Sequence, residues 1–107
     1  MVTMGPTLPR RTGQSEWLDL TGYLLPWRAD GQPALVGLIG LGDAVPVFSS
    51  LEAFDRVIAT LPMDYDSLKK IDDPRAFIES IPPWLIIAVD LHWSERGTMI
   101  YSEVQRP

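Results

Sequence analysis

Apolar and polar residues alternate most tellingly over residues 45–61, VPVFSSLEAFDRVIATL, where a strand pattern runs straight into a helical one. Val45, Val47 and Phe48 make a short apolar run with Pro46 inside it. Ser49 then offers a side-chain oxygen to the orphan amides of a first helical turn, and Glu52 three residues on completes an S-x-x-E capping box. Leu51, Phe54, Val57, Ile58 and Leu61 repeat at the spacing of one helical face, with Glu52, Asp55, Arg56 and Thr60 opposite, and Pro62 is expected to stop the helix.

Ahead of this segment the texture is strand-like. Asp30-Gly31 separates two apolar runs and marks a tight turn, so a hairpin is expected in which Trp27 meets Ala34, Leu25 meets Val36 and Tyr23 meets Leu38. Pro26 and Pro33 have no amide to donate, which makes the tip of that hairpin irregular or edge-facing. A second turn at Gly42-Asp43 would bring residues 45–48 back beside residues 36–39 and complete a three-stranded meander. Residues 1–14 carry Gly, Pro and Arg without periodicity and are expected to form a flexible arm.

After Pro62, Asp64 is placed as the cap of a turn holding Leu68 and Ile71, and Asp73 before Pro74 as the cap of a second short helix that reaches Ile81. Residues 84–93 are apolar and β-branched, residues 94–97 read as a turn, and residues 98–105 alternate, so the chain is expected to close with a hairpin. The element order is then β-β-β-α-α-β-β. It describes a single α+β domain over residues 15–107, with a five-stranded antiparallel or mixed sheet and the helices packed on one face.

Composition narrows the function classes. The 107 residues suffice for one core, the absence of cysteine removes thiolate chemistry, disulfides and cysteine metal sites, and the single histidine, His92, removes multi-histidine sites. No metal or other cofactor is expected; the acidic stretch from Asp64 to Asp73 lacks the central Gly and terminal Glu of a calcium loop. A net charge of −5 with scattered Lys and Arg argues against nucleic acid as a partner. No apolar run approaches the roughly 20 residues of a membrane helix and no signal-peptide layout is evident, so a cytoplasmic protein without a membrane partner is expected. Gly37, Gly40 and Gly42 stand as G-x-x-G-x-G, the reverse of the dinucleotide fingerprint, and lead into a strand, which suits packing rather than phosphate binding.

Candidate chemistry gathers on the closing hairpin. If both strands alternate regularly, Leu85, Ile87, Val89, Leu91 and Trp93 share the core face with Thr98, Ile100, Ser102 and Val104. The other face would carry Asp90, His92, Tyr101 and Glu103, a set in which a carboxylate could tune a histidine for acid–base work, although the pattern sets no nucleophile beside them. The same face would carry Trp84, Ile86, Met99 and Tyr101, an aromatic and methionine-containing patch of the kind found at protein interfaces. The reading favoured is a non-enzymatic interaction module, a homodimer or one half of a complex with another protein. The alternative is a small-molecule site or weak enzyme built on the four polar residues.

The segment PALVGLIGLGDAVPVFSSLEAF, above all Val45-Pro46-Val47-Phe48-Ser49-Ser50, resembles the SseB-like domain (enhanced serine sensitivity protein, N-terminal type), in which a comparable strand-to-helix turn follows a hairpin. The resemblance covers residues 23–61. Family members tend to carry an Asn-Pro element where this chain has Ala88-Val89-Asp90. What it implies is a small α+β domain without established catalysis, in keeping with the binding reading.

Overall fold

The structure, a computed structural model, describes residues 8–61 and 63–107. In chain order the elements are β1 (Arg10–Glu16), a 3-10 turn (Trp17–Leu20), β2 (Leu24–Trp27), β3 (Val36–Leu38), β4 (Gly42–Val47), α1 (Leu51–Ile58), β5 (Ser67–Lys70), α2 (Pro74–Ser80), β6 (Ile86–Trp93) and β7 (Met99–Gln105). The main sheet has the order β1-β7-β6-β4-β3 and is mixed: β1 with β7 and β4 with β6 are parallel, while β6 with β7 and β3 with β4 are antiparallel. The α+β class and mixed five-stranded sheet are therefore as expected. A second, two-stranded sheet pairs β2 with β5 and is tied to the first by a single bridge between Leu24 and Phe48. No helix of the described residues is long and apolar enough to cross a membrane.

Both faces of the main sheet are covered, which corrects the expectation of helices on one face. Ala44 and Phe48 turn toward α1 and pack with Phe54, Val57, Ala88 and Leu91. Val45 and Val47 turn the other way and pack with Phe77 and Ile78 of α2, with Leu20 of the 3-10 turn, with Leu25 of the small sheet and with Ile71 just past β5. A central strand sandwiched in this way must be apolar at every position, and residues 44–48 are all buried. The run Ile87-Ala88-Val89 in β6 is buried for the same reason.

The helix after β4 forms, one residue later than its capping signal suggests. Ser50, not Ser49, is the N-cap, its Oγ accepting from the Ala53 amide at 3.1 Å. Glu52 therefore falls too early for a capping box, and Leu51, expected in the core, is exposed. Ala53 takes its place on the buried face beside Phe54 and Val57. Pro62, expected as the stop, lies outside the described residues, and the helix ends at Ile58.

The hairpin around Asp30-Gly31 is reduced to a turn. Gly31 has the positive φ (85°) that the turn requires, but the bridge that forms joins Trp27 to Pro33, one residue out of the expected register. None of the pairs Trp27/Ala34, Leu25/Val36 or Tyr23/Leu38 exists, because β2 pairs instead with β5. That competition also explains why residues 67–70, expected in a helical turn capped by Asp64, are a strand: the ladder with Leu24–Trp27 outweighs the local pattern. Lys69 extends over the Trp27 ring, 4.2 Å from its centroid, across this ladder. The second turn sits at residues 38–41 rather than at Gly42-Asp43, closed by the Leu41 amide on the Leu38 carbonyl with Gly40 at φ 80° in the place a type II turn gives to glycine. Asp73 caps α2 as expected, accepting from the Ala76 amide.

The expected arm over residues 1–14 is corrected where the structure describes it. Residues 10–14 belong to β1, which extends the sheet parallel to β7 from Arg10 opposite Ile100 to Glu16 opposite Gln105; the first seven residues lie outside the described ones.

Candidate functional site

The closing hairpin forms, but a bulge divides it. Ala88 and Val89 pair with Glu103 and Ser102, whereas His92 and Trp93 pair with Ile100 and Met99, so an extra residue is accommodated at Asp90 and Leu91. Asp90 takes φ 51°, the sole positive φ outside glycine among the described residues. A bulge of this kind bends its strand and re-aims the side chains beyond it, so regular alternation fails over the second half of β6.

The four polar residues consequently do not form one cluster. Both Asp90 carboxylate oxygens are occupied by Ser49, which donates its amide at 2.8 Å and its hydroxyl at 2.6 Å. The His92 Nδ1–H donates to the Asp90 carbonyl at 2.8 Å. Tyr101 is buried in the core under α1, and Glu103 faces Arg11 of β1 at 3.7 Å. Burial, reinforced by the Glu103 charge and opposed by Arg11, raises the Tyr101 hydroxyl above its ordinary value; burial, with Asp90 and Asp19 nearby, does the same for Tyr23. Asp90 thus works as a bracket that fastens β6 to the start of α1, and its oxygens are already committed. Among the described residues no group of three His, Asp or Glu side chains is placed to hold a metal ion.

The aromatic set divides too. Met99 and Tyr101 are only 5% and 3% exposed, Ile86 is partly buried against the core under α1, and Trp84 alone stands out at 79%. The expected interface patch is therefore not a surface: α1 covers the face on which it would lie. Trp84 is presented by a turn in which the Leu85 amide donates to the Pro82 carbonyl, and Arg106 braces that turn by donating to the carbonyls of Ile81, Pro82 and Leu85 at 3.0, 2.9 and 2.6 Å. Taking the Arg106 guanidinium out of water lowers its pKa from the ordinary value.

What replaces the patch is a seam where the sheet rolls back on itself. Beyond the bulge, Trp93 and Met99 reach the outer strand β3, and Pro9, just ahead of β1, arrives at the same place from the opposite edge. Together with Leu61 and residues 36–39 they line an apolar cavity of about 240 Å³. Leu8 closes on Gly40, its Cδ2 standing 3.0 Å from where a Cβ on that glycine would be. Trp93 is oriented by its indole N–H, which donates to Thr60 Oγ1 at 3.1 Å. Of the lining, Ile39 and Trp93 remain 56% and 44% exposed, and Leu8 and Leu41, next to Pro9 and Gly40 in the chain, are 62% and 49% exposed. The sequence carried one sign of this that its glycine pattern obscured: the turn Ile39-Gly40-Leu41 is apolar where a surface turn is ordinarily polar.

Comparison with protein-family models, with curated proteins and with solved structures finds no match for this chain.

Proposed function

We propose that the chain is a non-enzymatic protein-interaction module that self-associates as a homodimer, and that the apolar seam, not a sheet face, is its binding surface. The observation that carries this reading is an apolar cavity whose lining leaves Ile39 and Trp93 exposed, with the exposed Leu8 and Leu41 flanking it in the chain next to Pro9 and Gly40. Exposed apolar groups contiguous with a preformed groove favour burial against a partner, and a tryptophan held by a hydrogen bond loses little freedom when covered. The resemblance of residues 23–61 to the SseB-like domain supports the same non-catalytic reading. The acid–base alternative finds less support, since Asp90 is spent on Ser49 and Tyr101 is buried away from solvent.

Sedimentation velocity over a roughly hundredfold dilution measures the association directly. The full chain is expected to sediment as a dimer that dissociates on dilution, and Ile39→Asp to sediment as a monomer with an unchanged circular dichroism spectrum. A wild-type chain that stays monomeric at every concentration removes the self-association reading.

A further inference from the structure

Resting on that self-association, the geometry points to its mode: two copies join edge to edge through β3, antiparallel about a two-fold axis near Gly37, so that the main sheet continues from one copy into the other. β3 is hydrogen-bonded to β4 on one side, with Val36, Gly37 and Leu38 opposite Ala44, Asp43 and Gly42. Among the described residues, no backbone hydrogen bond on its other side accompanies that ladder. A strand edge that the described residues leave unpaired calls for another strand, since only an extended backbone supplies donors and acceptors at the matching interval.

Two observations favour a second copy as that strand. The chain carries a net charge of −5, so two copies repel wherever their charged surfaces meet, yet residues 33–42 contain no charged side chain. It is a stretch on which like can approach like without that cost. Gly37 is exposed, and a Cβ built on it would meet nothing within 4 Å, so a neighbouring backbone can come close across it. Antiparallel pairing about Gly37 sets residue 36 of one copy opposite residue 38 of the other and brings each copy's Ile39 and Leu41 next to its partner's edge. The contact is isologous and closes at two copies.

The open space at Gly37 also provides the test, because Gly37→Lys and Gly37→Glu introduce no clash within the monomer and require no positive φ. Each variant alone puts like charges opposite each other across the axis and is expected to sediment as a monomer at concentrations where the wild type is a dimer. An equimolar mixture of the two is expected to recover a dimer containing one copy of each, which misfolded variants could not do. Gly13→Lys on β1, equally free of neighbours, is expected to leave the dimer intact. In the wild type, amide exchange within Val36–Leu38 is expected to slow by about tenfold or more on going from the dilute to the concentrated protein. Variants at position 37 that remain dimeric, with exchange in β3 independent of concentration, overturn edge pairing while leaving self-association standing. Charged variants that dissociate but fail to recombine overturn the two-fold placement at Gly37. A monomeric wild type overturns both readings at once.

Discussion

The main sheet ends in two edges built on opposite plans. β1 carries Arg10, Arg11 and Glu16, exposed along a strand with Gly13 at a register shift, and charges and irregularities of this sort keep an edge from recruiting another chain. β3 carries no charge, is three residues long, and leads into an apolar turn. The two edges are not independent, because the sheet rolls until Pro9 and β3 line one cavity. Among the described residues, then, the fold guards one edge with charge and leaves the other without it, with the exposed apolar Ile39 and Trp93 at the uncharged one.

The strongest way to break this arrangement is at the bulge that makes the sheet roll. Asp90 holds a left-handed conformation, costly for a side-chain-bearing residue, and its carboxylate offsets that cost by accepting two hydrogen bonds from Ser49. Asp90→Ala keeps the strain and removes both bonds, leaving the Ser49 amide without its partner. It is expected to lower unfolding free energy by about 1–3 kcal/mol in urea denaturation. Asp90→Asn, which tolerates the conformation and keeps an acceptor, is expected to lose clearly less. Equal losses in the two variants would mean that the bracket to Ser49 contributes little.

The same bulge marks where sequence reading fails. Several elements were legible: the strand and helix around residues 45–61, the α2 cap at Asp73 and the closing hairpin all form, because each depends on local chemistry or simple alternation, whereas the strands β1 and β5 were not foreseen. Partnership was not. The parallel pairing of β4 with β6 and the capture of β2 by β5 are long-range choices, and nothing at residues 24–27 or 67–70 announces the other. The candidate site suffered most, since an alternation argument carried across residues 88–93 assigns faces correctly up to Val89 and wrongly beyond it. Even so, the uninterrupted apolar run Leu85-Ile86-Ile87-Ala88-Val89 was a readable sign that both faces of β6 are covered, and with that recognised Met99 and Tyr101 could not have been surface residues.

A smaller effect sharpens the guarded side of the comparison. Tyr101 pairs across the ladder with Arg11 of β1, and its raised pKa means that the folded protein holds the phenolic proton more tightly than the unfolded chain does. Stability from this source is fully present below the ordinary value of 10.0 and declines as pH rises through the folded value, because the unfolded chain ionises first. Tyr101→Phe is therefore expected to lose less stability than the wild type between about pH 9 and pH 11 in denaturant titrations, with Tyr23 accounting for the loss that remains. Parallel pH profiles for the two proteins would show that the Tyr101 hydroxyl is not held this way.

The smallest effect belongs to the charge pair on the same edge. Arg11 and Glu103 stand 3.7 Å apart with both side chains substantially in water, so solvent and salt screen most of their attraction. Arg11→Ala is expected to change unfolding free energy by less than about 1 kcal/mol, and the change should shrink further in high salt. The substitution also withdraws the one positive charge that pulls the Tyr101 pKa down, so the hydroxyl should titrate at still higher pH, a shift that ultraviolet difference spectroscopy of the phenolate can follow. Because Arg11 contributes so little to folding, any larger consequence of its loss must come through the edge itself. If Arg11→Ala, or Arg10→Ala with it, made the chain form species larger than a dimer, the charges on β1 would be acting as a guard against strand addition, in contrast to the bare edge of β3.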